Sequence, residues 1–489
     1  MKRKKYIVII LLTAILTFHF LNNFIWLKKD NSISGVDAYW HFIEIIKFQL
    51  AFRRIFHSSL PFFGKIAQLF STFKRWPTMN WPPFYYLVSS LINPGHFYML
   101  RLRLYANFIF YFILVLSTYF FGKKCFNRRV GLLASFLVSF YPSICAFSRQ
   151  CGLDFPLTGL TALCVCLLVY SEDFSKINYS LLFGLSLGIS TLVKLQVIFF
   201  LSAPLVYSII RIFSKERKEK PRSLLNLILG LILAWLLFSL YWGFKLKDMI
   251  MDFYNQAFFL YPLYSGRQHV FGTQGVPIFS LKNFTFYPAY LPYLSSLYLF
   301  GLFILGLIMF LRGQNRLKAF FLSSLLVPCF ILTFISVKWG RYEMPLLIFT
   351  AIISAWAVDN LESKYLKRIV TVGLLFYCVG MCLSSSWGWA GNYNFSLLQD
   401  IWTQPPYRPE PYDYIEEMRK EGVIVPIEDD LVRGKEVRIW FRGHVEELIG
   451  SLYLFFQDYI FDDKIAIKEW HGRFAFCRWG LHNHRQILL

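Results

Sequence analysis

Long apolar runs broken by short basic gaps set the pattern of this chain from residue 6 to residue 386. Most of these runs hold roughly 17 to 25 residues, enough for a helix to cross about 30 Å of hydrocarbon. About eleven spans are expected, at residues 6–27, 98–121, 130–147, 154–170, 178–193, 195–213, 223–243, 289–311, 317–337, 344–358 and 367–386. The gaps carry the charge: Lys2 to Lys5, Lys123 to Arg129, Lys215 to Arg222, Arg312 to Lys318 and Lys364 to Arg368. The positive-inside rule then sets the N-terminus and all of these gaps on the cytoplasmic side and, the count being odd, the C-terminus outside.

Composition agrees and removes one alternative. A chain of 489 residues that is 56% hydrophobic and 20% aromatic reads as an all-α polytopic membrane protein, multi-pass in a plasma (inner) membrane. Its net charge of +22 raises the question of nucleic acid, but the basic residues lie in the gaps between spans. The expected partner is therefore the lipid bilayer, with no nucleic acid. The first run follows MKRKK, is long for a signal peptide and lacks a small-residue cleavage site, so it reads as a retained span. Most of the nine cysteines, Cys145, Cys164, Cys166, Cys329, Cys378 and Cys382 among them, fall in or beside apolar runs. Their spacing indicates neither a disulfide framework nor a zinc site.

Three outer segments are too long to be turns. The first, residues 28–97, contains GVDAYWHFIEIIKF, the basic amphipathic KFQLAFRRIF and WPPFYYLVSSLI, a mixture suited to interfacial helices. WPPFYYLVSSLI leaves only about nine residues between Pro83 and Asn93-Pro94-Gly95, too few to span. The second, about Lys245 to Pro288, is rich in Tyr, Phe and Gly and reads as an ordered surface loop. The third, 387–489, turns polar; its helix-like YDYIEEMRKEG and strand-like VIVPI suggest a small extracytoplasmic α/β appendage to a membrane domain of residues 1–386.

Candidate chemistry gathers at the outer ends of the spans. Asp37, His41 and Glu44 share one helical face, a spacing that can hold a divalent ion, although a His among aromatics more often makes an interfacial hydrogen bond. Asp154 opens a span, close after Arg149; an acid at membrane depth is costly and often functional, and it is equally an ordinary helix cap with Pro156 in the first turn. Lys338 and Arg341 bracket a short outer turn beside Tyr342, where they can grip a phosphate or simply snorkel. Lys194 lies between two spans on the same side. Asn283-Phe-Thr and Asn394-Phe-Ser fit the glycosylation sequon.

In order along the chain, GVDAYWHF, PPFYYL, the RLRLYANF to LLVY stretch with its RRVGLLA turn and SRQCGLD end, LVKLQ and KWGRYEMPLL are similar to motifs of one group. The chain resembles the polyprenyl-phosphate-sugar-dependent glycosyltransferases with the C-type membrane fold, which include protein O-mannosyltransferases and aminoarabinose transferases. The resemblance covers about residues 30 to 360, and it departs where the mannosyltransferases carry paired acids, since Ala38 follows Asp37. It implies an inverting transferase in which Asp37 is the general base and Asp154 a supporting acid that shapes the site or binds a metal. It also implies donor-phosphate contacts from residues of the Lys338 to Arg341 element; Arg149 and Lys194 are further candidates. The implied partners are a polyprenyl-phosphate-linked sugar donor and a lipid, glycan or protein acceptor. The competing class is a transporter, flippase or polysaccharide-exporting protein, which tends to show internal repeats and charges at the midplane; neither is found here.

Overall fold

The computed structural model describes residues 2–29, 41, 44–45, 48, 51–52, 55–75, 81–92, 106–214, 216, 219–243, 245–247, 250, 281–335, 338–387, 437–442, 465–470 and 486–488. Its helices are α1 (Lys2–Lys29), α2 (Phe62–Arg75), α3 (Phe84–Ile92), α4 (Ala106–Cys125), α5 (Arg128–Phe140), α6 (Pro142–Phe147), α7 (Asp154–Tyr170) and α8 (Ile177–Thr191). They continue with α9 (Val197–Phe213), α10 (Lys220–Ser239), α11 (Leu281–Ser295), α12 (Leu297–Arg312), α13 (Lys318–Thr333), a 3-10 turn (Gly340–Leu346), α14 (Leu347–Asp359) and α15 (Lys364–Trp387). Strands β1 (Val437–Arg442), β2 (Ile465–Trp470) and β3 (Gln486–Leu488) form a parallel sheet in the order β2-β1-β3.

Among the described residues, five helical segments are long and apolar enough to cross a membrane: Tyr6–Lys29, Ala106–Cys125, Lys220–Ser239, Gly340–Asp359 and Lys364–Trp387. A sixth arises if Asn283–Ser295 and Leu297–Arg312, bent by 119°, form one broken span. The protein is therefore a mostly helical integral membrane protein, but the count of eleven is borne out only in part. The apolar helices Asp154–Tyr170, Ile177–Thr191, Val197–Phe213 and Lys318–Thr333 run 17 residues or fewer, and the run expected at 130–147 breaks at Tyr141, before Pro142. Proline after an extended residue restarts a helix on a new axis. At the break between α11 and α12, Ser296 adopts φ 79° and its side chain accepts from Leu299 N, capping α12.

The chain divides into two compact units, residues 1–23, 61–85 and 107–405, and residues 24–60, 86–106 and 406–489. In the first, α8 packs on α10, α5 on α14, α9 on α13 and α12 on α14. The turns expected to share one side do meet. Asn127 Nδ2 donates to Asp359 Oδ2 at 2.7 Å, Lys367 lies 3.6 Å from Asp359, Lys124 and Lys176 lie 2.6 and 2.8 Å from Glu172, and Arg211 lies 3.5 Å from Asp173. Lys124 and Lys176 hold the Glu172 carboxyl below the ordinary carboxylate range. This basic end closes over an aromatic core in which Phe121 stacks on Phe321 at 5.8 Å and Phe310 meets Phe321 edge-on at 5.5 Å.

Phe62 and Phe63, at the start of α2, are exposed. In the second unit, His41, Glu44, Ile45, Phe48, Ile55 and Tyr86 are buried, and the described residues between 41 and 57 other than turns are helical. Phe48, Phe52 and Phe56 form an i, i+4 ladder with ring centroids 5.8 and 4.8 Å apart. Helix α3 has nine residues and is too short to span. Asp37, Asn394, YDYIEEMRKEG and VIVPI lie outside the described residues.

Candidate functional site

Helix α7 starts where its sequence predicts, but its first residue does not cap it. The N-cap position is Leu153, which offers no side-chain cap, and the Asp154 carboxylate turns instead to two cations. Lys194 Nζ is hydrogen bonded to Asp154 Oδ1, and Arg341 Nε lies 3.1 Å from Asp154 Oδ2. All three side chains are largely buried, at 9% exposure for the acid and 20% for each cation. The helix-cap reading of Asp154 thus gives way to an ion-pair reading, and the α7 dipole further favours the carboxylate at this terminus.

Each partner is fixed by its own segment. Lys194 follows α8 in a tight turn, its backbone N–H donating to Ser190 O at 3.0 Å. That turn is pinned by Trp242 Nε1 to Thr191 O at 3.0 Å and by Phe84 N–H to Leu192 O at 3.0 Å. Phe84 belongs to the PPFYY element, so the motif serves the site through its backbone. Arg341 sits on the 3-10 turn, and a Cβ on Gly340 would fall inside the Tyr290 ring, so any other residue there would force that ring to move. Tyr342, expected as a neighbour, lies under Lys194 with Nζ 4.5 Å from the ring centroid, and the Arg341 guanidinium lies 4.8 Å from the Trp339 ring. Among the described residues the cluster brings two cations to one anion, an arrangement suited to an anionic ligand.

The other expected residues are placed differently. Lys338 is buried and donates to Leu332 O at 3.2 Å and Thr333 O at 2.7 Å, so it caps the C-terminal carbonyls of α13. Arg149 is buried, with Nε donating to Asn23 Oδ1 at 2.9 Å and Nη2 to Ser386 Oγ, tying α1 to α15. In the second unit His41 Nδ1 is hydrogen bonded to Tyr86 OH at 2.8 Å, and Glu44 is buried. Asn283 is buried and donates to Thr333 O at 3.1 Å, which takes it out of consideration as a glycan acceptor. Sequence reasoning passed over Glu343, inside the KWGRYEMP element. It is fully buried, and neither carboxyl oxygen has a hydrogen-bond partner among the described residues. Its position in the same turn as Arg341 was the available signal.

Burial lowers Lys338 from the ordinary 10.5 to about 8. The folded-state value being the lower, the unfolded chain binds the proton more tightly between pH 8 and 10.5. The contribution of this group to stability therefore rises with pH across that window and is unfavourable below it. The melting midpoint of the parent, taken relative to Lys338→Met, is expected to rise between pH 8 and pH 10; a pH-independent difference would show that the ammonium is not desolvated.

Residues 84–242 match the family model described as dolichyl-phosphate-mannose-protein mannosyltransferase. The structure is similar to ArnT from Cupriavidus metallidurans bound to undecaprenyl phosphate, with TM-score 0.53 and 12% identity, over 76% of this chain and 64% of that one. It is also similar to the Archaeoglobus fulgidus oligosaccharyltransferase in the apo form, with TM-score 0.53 and 13% identity, over 92% of this chain and 64% of that one. The chain has the fold of the C-type membrane glycosyltransferases. It spans about 64% of the length of each of those two structures. No curated protein sequence matches it. The Asp154 and Lys194 parts of the cluster lie within the stretch matched by the mannosyltransferase model, and Arg341 lies beyond it.

Proposed function

We propose that the chain is a membrane glycosyltransferase that moves a sugar from a polyprenyl-phosphate donor to an acceptor hydroxyl. The observation that carries this reading is the cluster itself: among the described residues, two cations from separate segments converge on one acid in a largely buried site. The fold likeness to a structure bound to undecaprenyl phosphate supports the same donor class. In this reading Arg341 and Lys194 receive the donor phosphate, Arg as a fork and Lys as a point charge. Asp154 is their positioning residue, setting both cations before the donor arrives. Lys338 and Arg149 hold the frame around them.

Asp37 serves as general base. It takes the acceptor hydroxyl proton, the oxygen attacks the anomeric carbon, and the bond from that carbon to the phosphate oxygen breaks with its electron pair leaving on the phosphate. A single displacement of this kind inverts the anomeric centre. The N-terminus and basic end lie in the cytoplasm of a plasma (inner) membrane, residues 28–97 and 387–489 lie outside, and residues 1–386 form the transferase domain.

Purified chain in proteoliposomes, supplied with radiolabelled polyprenyl-phosphate sugars and a panel of lipid, glycan and peptide acceptors, tests the proposal. Transfer is expected, and Asp37→Asn should reduce it by about 10²- to 10⁴-fold with normal insertion. Full turnover by Asp37→Asn would remove the base assignment. Flux of the labelled substrate across the bilayer without transfer would support the transporter class instead.

A further inference from the structure

A second polar cluster lies inside the helical bundle, beside Ser386 of the Arg149 contact. His19 of α1, Cys145 of α6 and Cys382 of α15 are buried, and their ligand-capable atoms all lie within 4.8 Å of one another. The two thiols are 3.3 Å apart. The His19 ring is held between Phe140 and Tyr111, at centroid distances of 4.3 and 4.7 Å, and Nε2 is 3.3 Å from Ser139 Oγ. Asn22 Nδ2 reaches Cys382 Sγ at 3.9 Å. An imidazole in a membrane interior is an expensive choice if packing is its only task.

We propose that His19, Cys145 and Cys382 form a binding site for one divalent ion of the zinc class. Imidazole nitrogen and thiolate sulfur are the ligand types such an ion takes, and sulfurs on one tetrahedral ion at about 2.3 Å each sit about 3.8 Å apart. The thiols observed at 3.3 Å need only a small adjustment to reach that spacing, whereas a disulfide at about 2.05 Å needs more than an ångström of approach. Charge favours the same ligand. A divalent cation with two thiolates and a neutral imidazole is neutral overall, which a hydrocarbon environment tolerates; the two thiol protons leave as the ion binds.

The site has a structural meaning. Asn23, Arg149 and Ser386 each lie four residues beyond His19, Cys145 and Cys382, and these three join α1 and α15 to the segment after α6 through the Arg149 guanidinium. The ion would form a second layer beneath that knot, clamping the same three segments.

The site is closed to solvent, so the ion must enter as the chain folds. The full-length chain is expressed in medium supplemented with zinc or with cobalt, purified in detergent, and its metal measured by elemental mass spectrometry and electronic absorption. About one zinc per chain is expected, as for a structural site whose metal joins during folding. Cobalt-loaded protein should show thiolate-to-cobalt charge-transfer absorption. Cys145→Ser and Cys382→Ser should each lower bound metal at least about tenfold, in line with loss of a ligand. Should either serine variant fail to fold, His19→Gln carries the test: it should lose most of the metal and shift the cobalt spectrum. Monodisperse parent protein without zinc or cobalt, a cobalt spectrum unchanged by all three substitutions, or a Cys145–Cys382 disulfide in mass-mapped peptides would each overturn the proposal.

Discussion

Asp154→Asn is expected to reduce sugar transfer by about 10²-fold or more, a loss of the size seen when preorganised electrostatic groups are removed. The substitution keeps the shape of the side chain and removes only its charge. Lys194 and Arg341, now held by Asp154 on its two oxygens, become like charges without the Asp154 anion between them in a largely buried site. Removing one member of a buried ion pair typically costs about 3 to 5 kcal/mol, because the remaining charge is left desolvated. Here that cost is shared between stability and the geometry of the two cations. If Asp154 served only the α7 terminus, the same change would cost about 0.3 to 1 kcal/mol and leave turnover alone. Kinetics separate the two. A positioning role predicts a raised KM for the polyprenyl-phosphate donor, partial rescue by Asp154→Glu, and a second-site effect: once Asp154 is neutral, Lys194→Met should cost far less than it does in the parent. Full activity in Asp154→Asn, with unchanged donor KM, would dismiss the cluster as a site.

The spans were legible because membrane helices announce themselves through composition, and the basic gaps were legible because charge avoids hydrocarbon. Asp154 heads α7 at the residue where the apolar run begins, and Tyr342 was recognised as a neighbour of the site. What escaped was pairing across distance. Lys194 was ranked below Lys338, since Lys338 shares a motif with Arg341, yet the ammonium of Lys338 is absorbed by the carbonyls at the end of α13 while Lys194 meets the acid. Turn geometry, not spacing, decides which of two nearby lysines points into a site. The cysteines teach the same lesson: Cys145 and Cys382 are 237 residues apart, and no local motif scan joins them. The count of spans is borne out only in part for a related reason. Pro142, and the left-handed Ser296 between α11 and α12, break apolar runs that hydropathy reads as continuous.

Gly184→Leu is expected to abolish recovery of folded protein, the largest stability effect in the molecule. Helices α8 and α10 touch through their backbones: a Cβ on Gly184 would fall on Gly230 O, and a Cβ on Gly230 would lie 2.7 Å from Ser180 O. One turn along, a Cβ on Gly188 would lie 2.7 Å from Leu237 Cβ and 3.0 Å from Ala234 O. In hydrocarbon there is little hydrophobic drive between helices, so close approach at small residues supplies the attraction. A leucine here pushes against backbone, which cannot repack, so the penalty should exceed the roughly 1 to 3 kcal/mol of ordinary over-packing. The damage reaches the site as well. The end of α8 carries the turn that presents Lys194, and Trp242 and Phe84 grip that turn only while α8 keeps its position. Gly301→Leu in α12 is the matched control, since nothing lies within 4 Å of its Cβ direction, and it should change stability by no more than about 0.5 kcal/mol. Size-exclusion profiles in detergent read both outcomes. Equal monodisperse yields for the two variants would mean that α8 and α10 do not meet at Gly184 and Gly230, and the anchoring of Lys194 would need another explanation.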